Sequence, residues 1–268
     1  MKFVDKLLVA SRRSKSLLCV GLDPDPGLMP KVSLLEFNKA IVDATVDLVC
    51  AYKPNLAFYE ALGIDGLKIL QKTIEHIPGH IPIIGDGKRG DIGNTAKAYA
   101  KALFEIFGFD AATVSPYLGF DSVEPFIKYK DKGVFILCRT SNPGAVDFQS
   151  LLDAQGIPLY EAVARKAKKW NVHGNIGLVV GATYPDELEV IRQICPEMPL
   201  LIPGIGVQGG DLASMVKHGI DAHGEKAVIA VSRQIIYASK GKDFAQAARK
   251  SAQELRDSIN KLASQIVR

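Results

Sequence analysis

The chain has 268 residues, 47% of them hydrophobic, which is enough to form one large core, and its formal charge at pH 7 is only +4. So mild and scattered an excess of basic residues argues against a nucleic-acid-binding protein. No apolar run approaches the roughly 18 residues that a membrane span requires. Residues 1–15 mix charged and apolar positions, as a short amphipathic helix does and a signal peptide does not. A cytoplasmic protein without a nucleic-acid or membrane partner is therefore expected.

The 4 cysteines are widely separated along the chain, and none has the C-x-x-C spacing of a zinc or redox site. They are Cys19, Cys50, Cys138 and Cys195. Three of them fall in apolar runs, where buried free thiols are the expected state. This usage fits a reducing compartment.

Short apolar runs recur along the chain, each of strand length and nearly continuous in apolar character, as in strands that are covered on both faces. They lie at 16–22, 48–54, 81–86, 111–116, 133–139, 175–181, 199–204 and 226–232. Most intervals between them have a helical pattern; for example, Phe37, Ile41, Ala44 and Leu48 share one face. The last helix, at about 243–266, is long, amphipathic and charged.

Strands that alternate with helices in this number predict an α/β protein, a single (β/α)8 TIM barrel with a short N-terminal helix and a long C-terminal helix. A doubly wound open sheet is the alternative, but it usually carries G-x-G-x-x-G after its first strand, and "GLDPDPG" at 21–27 does not match. Since neither a linker nor a low-complexity segment interrupts the pattern, we expect one domain over residues 1–268.

A TIM barrel carries its site at the carboxyl ends of its strands, and in this sequence polar residues gather there. They are Asp23, Lys53, Asp86, Lys88, Ser115, Arg139, Ser141 and Arg233. Chance would distribute polar residues between both ends of the strands. The pattern therefore predicts a polar site at the carboxyl end of the barrel.

The densest group of charges lies in residues 85–95, "GDGKRGDIGNT", directly after the third apolar run. Side chains alternate across a strand, so Asp86 and Lys88 are expected to point the same way, which at a barrel mouth is inward. Lys53, at the end of the second strand, adds a cation, and a lysine fixed beside a carboxylate suits proton delivery to a carbanion. Two alternatives remain open: Asp91 as a simple helix cap, and Asp86 with Lys88 as an ordinary strand-end ion pair.

The loops after the seventh and eighth strands predict a phosphate site, because TIM barrels usually bind phosphate there. The glycines of "PGIGVQGGD" at 203–211 let backbone N–H groups approach an anion, and a helix is expected to start at about Asp211. Arg233 begins the next helix, and its guanidinium can form bidentate hydrogen bonds with a phosphate. A glycine-rich turn beside a surface arginine is the plainer alternative.

These residues resemble the orotidine 5′-phosphate decarboxylase family, in particular its subgroup common in bacteria. The resemblance spans nearly the whole chain, and the D-x-K-x-x-D-I-x-x-T core is its most specific part. The matching blocks, in order, are "GLDP" (21–24), "KPNLAFYE" (53–60), "DGKRGDIGNT" (86–95), "TVSPYLGFD" (113–121), "RTSNPGA" (139–145), "PGIGVQGGD" (203–211) and "SRQIIYAS" (232–239).

The resemblance implies conversion of orotidine 5′-phosphate to UMP, the last step of pyrimidine synthesis, without a cofactor or metal. Lys88 would protonate C6 of the pyrimidine, and Asp86 would lie against the departing carboxylate. Lys53 would pair with Asp86 and touch the ribose. The implied assembly is a homodimer in which Asp91 reaches the site of the other subunit and completes the charge array.

Binding roles follow from the same resemblance. Asp23 and the partner's Thr95 would bind ribose hydroxyls, and Ser141 would contact the amide edge of the pyrimidine. Further implied contacts are Pro203 as part of the pocket wall and Gln208 with Arg233 as the phosphate ligands.

Two other functions are alternatives to this one. Sugar-phosphate enzymes of the same superfamily also carry D-x-K-x-x-D but place an acidic Mg²⁺ ligand where Lys53 stands, and a lysine there opposes the metal. A nucleotide-binding module without catalysis would be expected to have lost Lys88 or one of the carboxylates.

Overall fold

The computed structural model describes residues 1–204 and 211–266, in which eight parallel strands form one sheet in the order β2-β1-β8-β7-β6-β5-β4-β3. Parallel bridges from Tyr52 to Ile83 and from Asn55 to Asp86 join β2 to β3 and close the sheet into a barrel. The strands are β1 (Leu18–Leu22), β2 (Ala51–Pro54), β3 (Ile84–Arg89), β4 (Ala111–Val114), β5 (Gly133–Arg139), β6 (Ile176–Val180), β7 (Leu200–Pro203) and β8 (Ala227–Val231). The predicted TIM barrel is confirmed.

Helices surround the barrel, and the expected short first helix and long last helix are both present. They are α1 (Phe3–Ser14), α2 (Leu34–Thr45), α3 (Leu56–Glu60), α4 (Gly63–His76), α5 (Gly93–Lys101), α6 (Phe120–Ile127), α7 (Val146–Gln149), α8 (Leu159–Trp170), α9 (Pro185–Ile194), α10 (Leu212–Gly219), α11 (Arg233–Ile236) and α12 (Phe244–Ile266). Across the described ranges, none of these helices is both long and apolar enough to cross a membrane.

Local sequence sets where several helices begin. At the start of α2 the Ser33 side chain accepts from the Glu36 N–H while the Glu36 carboxylate accepts from the Ser33 N–H, a reciprocal cap. Asp211 caps α10 by accepting from the N–H groups of Ala213 and Ser214. The predicted helix starts near Asp211 and at Arg233 are confirmed.

The hydrophobic core has two layers, because strand side chains alternate between the helices outside and the barrel interior. The interior is filled by side chains such as Ile84, Phe135 and Val228, and α1 packs across its amino end. The Phe3 ring meets Phe135 edge to face, with 5.7 Å between centroids. Gly133 makes room for it, since a Cβ at that position would lie 2.2 Å from the Phe3 ring.

The third strand departs from the predicted bounds of 81–86, since β3 begins at Ile84 and runs on through the charged residues to Arg89. Pro82 has no N–H to donate to the ladder, which delays the start of the regular strand. The strand is also irregular: Gly85 pairs with Ala112 but Arg89 pairs with Val114, so four residue steps on β3 match two on β4. β3 therefore bulges at the charged residues.

Candidate active site

A cavity of about 400 Å³ opens at the carboxyl ends of the strands. Seven of the residues predicted from the sequence line it, from six different strands or the loops that follow them. They are Asp23, Lys53, Asp86, Lys88, Ser141, Pro203 and Arg233. The fold thus brings together most of the predicted site, and the apolar side chains Leu137, Val179 and Leu201 form part of its wall.

Three charges form a continuous chain at one side of this cavity. The Lys53 Nζ donates to Asp86 Oδ2 and the Lys88 Nζ donates to Asp86 Oδ1, both at 2.7 Å. Asp86 and Lys53 are buried, whereas the Lys88 side chain is 49% exposed. Lys88 is therefore the member of this charge chain that is open to a bound molecule.

The electrostatics of the charge chain favour its fully ionised state. Burial by itself would raise the pKa of Asp86, but the charges and hydrogen bonds of Lys53 and Lys88 outweigh it and hold that pKa well below its usual range. Burial would likewise lower the pKa of Lys53, but the carboxylates of Asp86 and Asp23 raise it above its ordinary value. Asp86 is consequently a fixed anion between two cations.

Asp86 and Lys88 lie within the bulge of β3. Lys88 has a φ of 45°, in the left-handed region that residues with a side chain seldom adopt. Gly87 leaves room for the Leu56 side chain, because a Cβ there would lie 2.6 Å from a methyl carbon of Leu56. The alternation expected from the sequence holds here, since Asp86 and Lys88 both line the cavity whereas a Cβ at Gly85 or Gly87 would face Phe109 or Leu56 of the outer core.

Asp23 is held beside Lys53 at the end of β1. The Tyr237 hydroxyl donates to the Asp23 carbonyl at 2.8 Å and accepts from the Asp25 N–H at 2.5 Å, which fixes the main chain of this loop. The Asp23 Oδ1 is buried and has no hydrogen-bond partner among the described residues. Among the described residues, this oxygen is an acceptor left without a donor at the wall of the cavity.

Ser141 and Arg233 stand on other sides of the cavity. Gln149 holds the turn before Ser141, since its Oε1 accepts from the Thr140 N–H at 2.8 Å and its Nε2 donates to the Thr140 hydroxyl at 2.9 Å. Arg233 is exposed at the first position of α11. Its guanidinium makes no ion pair within the described ranges, so it can bind an anion.

Asp91 and Thr95 are not brought to this cavity. The Asp91 Oδ1 accepts from the Ile92 N–H at 2.8 Å, and Thr95 is exposed on α5. The alternative that Asp91 caps α5 is wrong, because the cap position is Ile92 and no side chain caps the helix. Gln208 lies outside the described residues.

Several polar residues of the cavity were missed by sequence reasoning. They are Asn55, Thr113, Thr140, Asn142, Ser232 and Gln234. Their common signal is that each lies near the carboxyl end of a strand, and Asn55 and Ser232 come within two positions of Lys53 and Arg233. Applying the rule for strand ends to neutral polar residues would have found most of them.

Arg139 is the last residue of β5, but it differs from the polar residues at other strand ends that line the cavity. It is buried, pairs with Glu187, and lies 3.9 Å over the Tyr184 ring. These contacts join the end of β5 to the start of α9. Arg139 therefore supports the wall of the site rather than lining the cavity.

Among residues 1–204 and 211–266, no group of three or more His, Cys, Asp or Glu side chains is arranged to hold a metal ion. The polar groups of the cavity are instead two lysines, an arginine, hydroxyls and amides beside two carboxylates. This donor set suits an anionic substrate that carries hydroxyl groups.

A closed parallel barrel with a polar, charge-lined cavity at the carboxyl ends of its strands defines a TIM-barrel enzyme. Residues 16–250 match the model of the orotidine 5′-phosphate decarboxylase / HUMPS family. The chain belongs to this family, as the resemblance predicted.

Individual relatives agree with this assignment. The chain is 57% identical over 264 residues to a protein of Dehalococcoides mccartyi (strain BAV1) named orotidine 5′-phosphate decarboxylase, covering 97% of this chain and 98% of that one. A protein of the same name from Herpetosiphon aurantiacus is 54% identical over 258 residues, covering 94% and 95%. The solved structure of Leishmania donovani OMP decarboxylase has a TM-score of 0.87 and 41% identity, covering 98% of this chain and 99% of that one.

Proposed function

We propose that this chain converts orotidine 5′-phosphate to UMP and CO2 without a cofactor or metal. The observation that carries the proposal is the Lys53–Asp86–Lys88 charge chain, which lies at the mouth of a barrel of this family. The cavity combines that charge chain with hydroxyl-binding and anion-binding side chains. A nucleotide with a carboxylate next to its reacting carbon matches each of these features.

Lys88 is the proposed proton donor. When the bond between C6 and the carboxylate breaks, its electron pair stays on C6 and CO2 leaves. The Lys88 ammonium stabilises that negative charge and then gives its proton to C6, and solvent reprotonates the amine. The half-exposed side chain, held 2.7 Å from Asp86, is suited to both steps.

Asp86 and Lys53 prepare the site for this step. Asp86 stays ionised at neutral pH, so it repels a substrate carboxylate that is bound beside it. The product has lost that carboxylate, and the repulsion is absent from its complex. Lys53 balances the charge of Asp86 from the other side and lies near Asp23, and we assign it a contact with the ribose. We assign the ribose hydroxyls to Asp23 as well.

The remaining contacts position the nucleotide. We assign the amide edge of the pyrimidine to Ser141, a pocket wall to Pro203, and the phosphate to Arg233 together with Gln208. The phosphate is remote from the bond that breaks, but its binding energy can hold the ring against Lys88.

We further propose a homodimer in which Asp91 and Thr95 enter the other subunit's site. Two observations support it: neither residue lines the cavity of its own chain, and large apolar side chains are exposed on and near the loops that follow β3 and β4. Ile92 is 56% exposed and Tyr117 is 80% exposed, so this face presents apolar surface that a second copy would cover.

A magnesium-dependent sugar-phosphate reaction is the second candidate, since the family model also includes HUMPS members. Here the Lys53 ammonium lies 2.7 Å from Asp86, where it competes with a divalent cation for the carboxylate. A non-catalytic module is disfavoured because all three members of the charge chain are present and paired.

A cytoplasmic location remains part of the proposal. The cysteines Cys19, Cys50, Cys138 and Cys195 are free thiols and all are buried. Free thiols of this kind are usual in reducing compartments, where disulfides rarely persist.

Purified protein should convert orotidine 5′-phosphate to UMP at an undiminished rate in excess EDTA. The charge chain supplies the electrostatic stabilisation that a metal would otherwise give. The measurement is the loss of substrate absorbance, with UMP confirmed by chromatography. Strict dependence on added Mg²⁺ would overturn the metal-free reaction, and inactivity under all conditions would overturn the function.

Arg233→Ala should lower kcat/KM for orotidine 5′-phosphate about 100-fold or more, because a charge-assisted contact with phosphate is lost. Arg233 is exposed, so folding should be unaffected. The control substrate is orotidine, which has no phosphate; its slow turnover should be the same in wild type and variant. Arg165→Ala, at an exposed arginine of α8, is the matched control protein. An unchanged kcat/KM would refute the phosphate assignment.

A further inference from the structure

Thr113 occupies the point on β4 that faces the bulge of β3. It lies between Ala112 and Val114, whose partners on β3 are Gly85 and Arg89, so it stands opposite the residues that the bulge adds. The side chain is 1% exposed and its hydroxyl reaches the charge chain. A threonine within an apolar strand thus meets the most polar part of the barrel.

The hydroxyl of Thr113 makes two hydrogen bonds with a defined direction. It accepts from the Lys88 N–H at 2.9 Å, and an amide can act only as a donor. Its single proton is therefore free for Asp86 Oδ1, which also lies 2.9 Å away. One hydroxyl accordingly ties the main chain of Lys88 to the carboxylate that the Lys88 ammonium also contacts.

Thr113 is the third side chain that donates a hydrogen bond to the Asp86 carboxylate. The carboxylate Oδ2 accepts from Lys53, and its Oδ1 accepts from both Lys88 and Thr113. Without Thr113, Asp86 Oδ1 would keep only the half-exposed Lys88 ammonium as a partner, so the carboxylate would be held less firmly. The left-handed main chain of Lys88 would also lose the side-chain acceptor that meets its N–H.

We propose that Thr113 is a positioning residue: its hydroxyl fixes the Asp86 carboxylate and the Lys88 main chain in one geometry, so that the Lys88 ammonium is aimed at the reacting carbon. The inference rests on the proposed decarboxylation. Proton transfer is sensitive to placement, whereas binding of the ribose and phosphate depends on other residues. Loss of the hydroxyl should thus affect the chemical step far more than affinity.

The test compares Thr113→Val, which keeps the shape and removes the hydroxyl, with Thr113→Ser, which keeps the hydroxyl. Thr113→Val should lower kcat about 10- to 100-fold, as expected for a lost hydrogen bond to a charged group, while KM and the Kd for UMP change less than about threefold. Thr113→Ser should stay within about fivefold of wild type in kcat. The Tm of each variant is measured alongside.

Thr45→Val is the matched control, because Thr45 is also buried and its hydroxyl donates to the Ile41 carbonyl and pairs with Tyr52 away from the cavity. It should lower Tm but leave kcat unchanged. If Thr113→Val is insoluble, Thr113→Ala is measured instead, with the same expected changes in kcat, in KM and in the Kd for UMP. A kcat for the variant lacking the hydroxyl within threefold of wild type, or equal losses in the Val and Ser variants, would overturn the inference. An inactive wild type would instead refute the proposed function on which it rests.

Discussion

Lys88→Ala should lower kcat by at least about a thousandfold, because it removes both the proton donor and the charge that stabilises the developing carbanion. Folding should survive, since the Lys88 side chain is half exposed and Asp86 keeps Lys53 and Thr113 as partners. Measured UMP affinity should fall far less than kcat, because the ribose and phosphate contacts remain. Single-turnover rates would separate the chemical step from product release.

Lys68→Ala is the matched control for this variant. Lys68 is exposed on α4 and pairs with the exposed Asp65 at 3.1 Å, so its loss should leave both kcat and Tm unchanged. Activity of Lys88→Ala within tenfold of wild type would remove Lys88 from the donor role. Loss of cooperative thermal unfolding in that variant would show instead that the charge chain is needed for the fold.

Mixed dimers should recover activity that neither parent has. Lys88→Ala and Asp91→Ala homodimers are both expected to be nearly inactive. If Asp91 enters the other subunit's site, a mixed dimer has one site that lacks both residues and one that is intact. Random reassortment of equal amounts should thus restore about a quarter of wild-type activity.

The measurement is specific activity after the two variants are unfolded and refolded together, or co-expressed with different affinity tags and purified as the mixed species. Each variant refolded alone is the control, and its activity should stay at the parental level. Failure of the purified mixed dimer to exceed its parents would contradict the shared site. Full activity of a protein that is monomeric in solution would also contradict the shared site.

The barrel could be predicted from the sequence because its strands are short apolar runs separated by helical patterns, and because polar residues concentrate at one end of those runs. Asp86, Lys88 and Lys53 were accessible for the same reason: strand ends in a barrel share one mouth. Their pairing distances and burial follow from tertiary packing, which no single segment encodes.

The bulge could not be predicted, since the rule of alternation assumes a regular ladder. Thr113 lies in "AATVSP" and looks like a core residue; its role depends on the register between two strands, and its partner Lys88 is 25 positions away. Arg139 is the opposite case, a residue that was predicted at the barrel mouth but does not line the cavity. Its position suggested a residue at the barrel mouth, but Glu187, 48 positions on, and Tyr184 hold it in the wall.

The helix that covers the amino end of the barrel also affects the route by which substrate and products can reach the cavity. Phe3 and Leu7 fill that end, and the interior above them is packed with apolar side chains up to the cavity floor. We therefore expect substrate to enter, and both products to leave, through the cavity at the carboxyl ends of the strands. A nucleotide bound in this cavity would lie between the reacting carbon and solvent, so CO2 would have to pass beside it or leave after UMP.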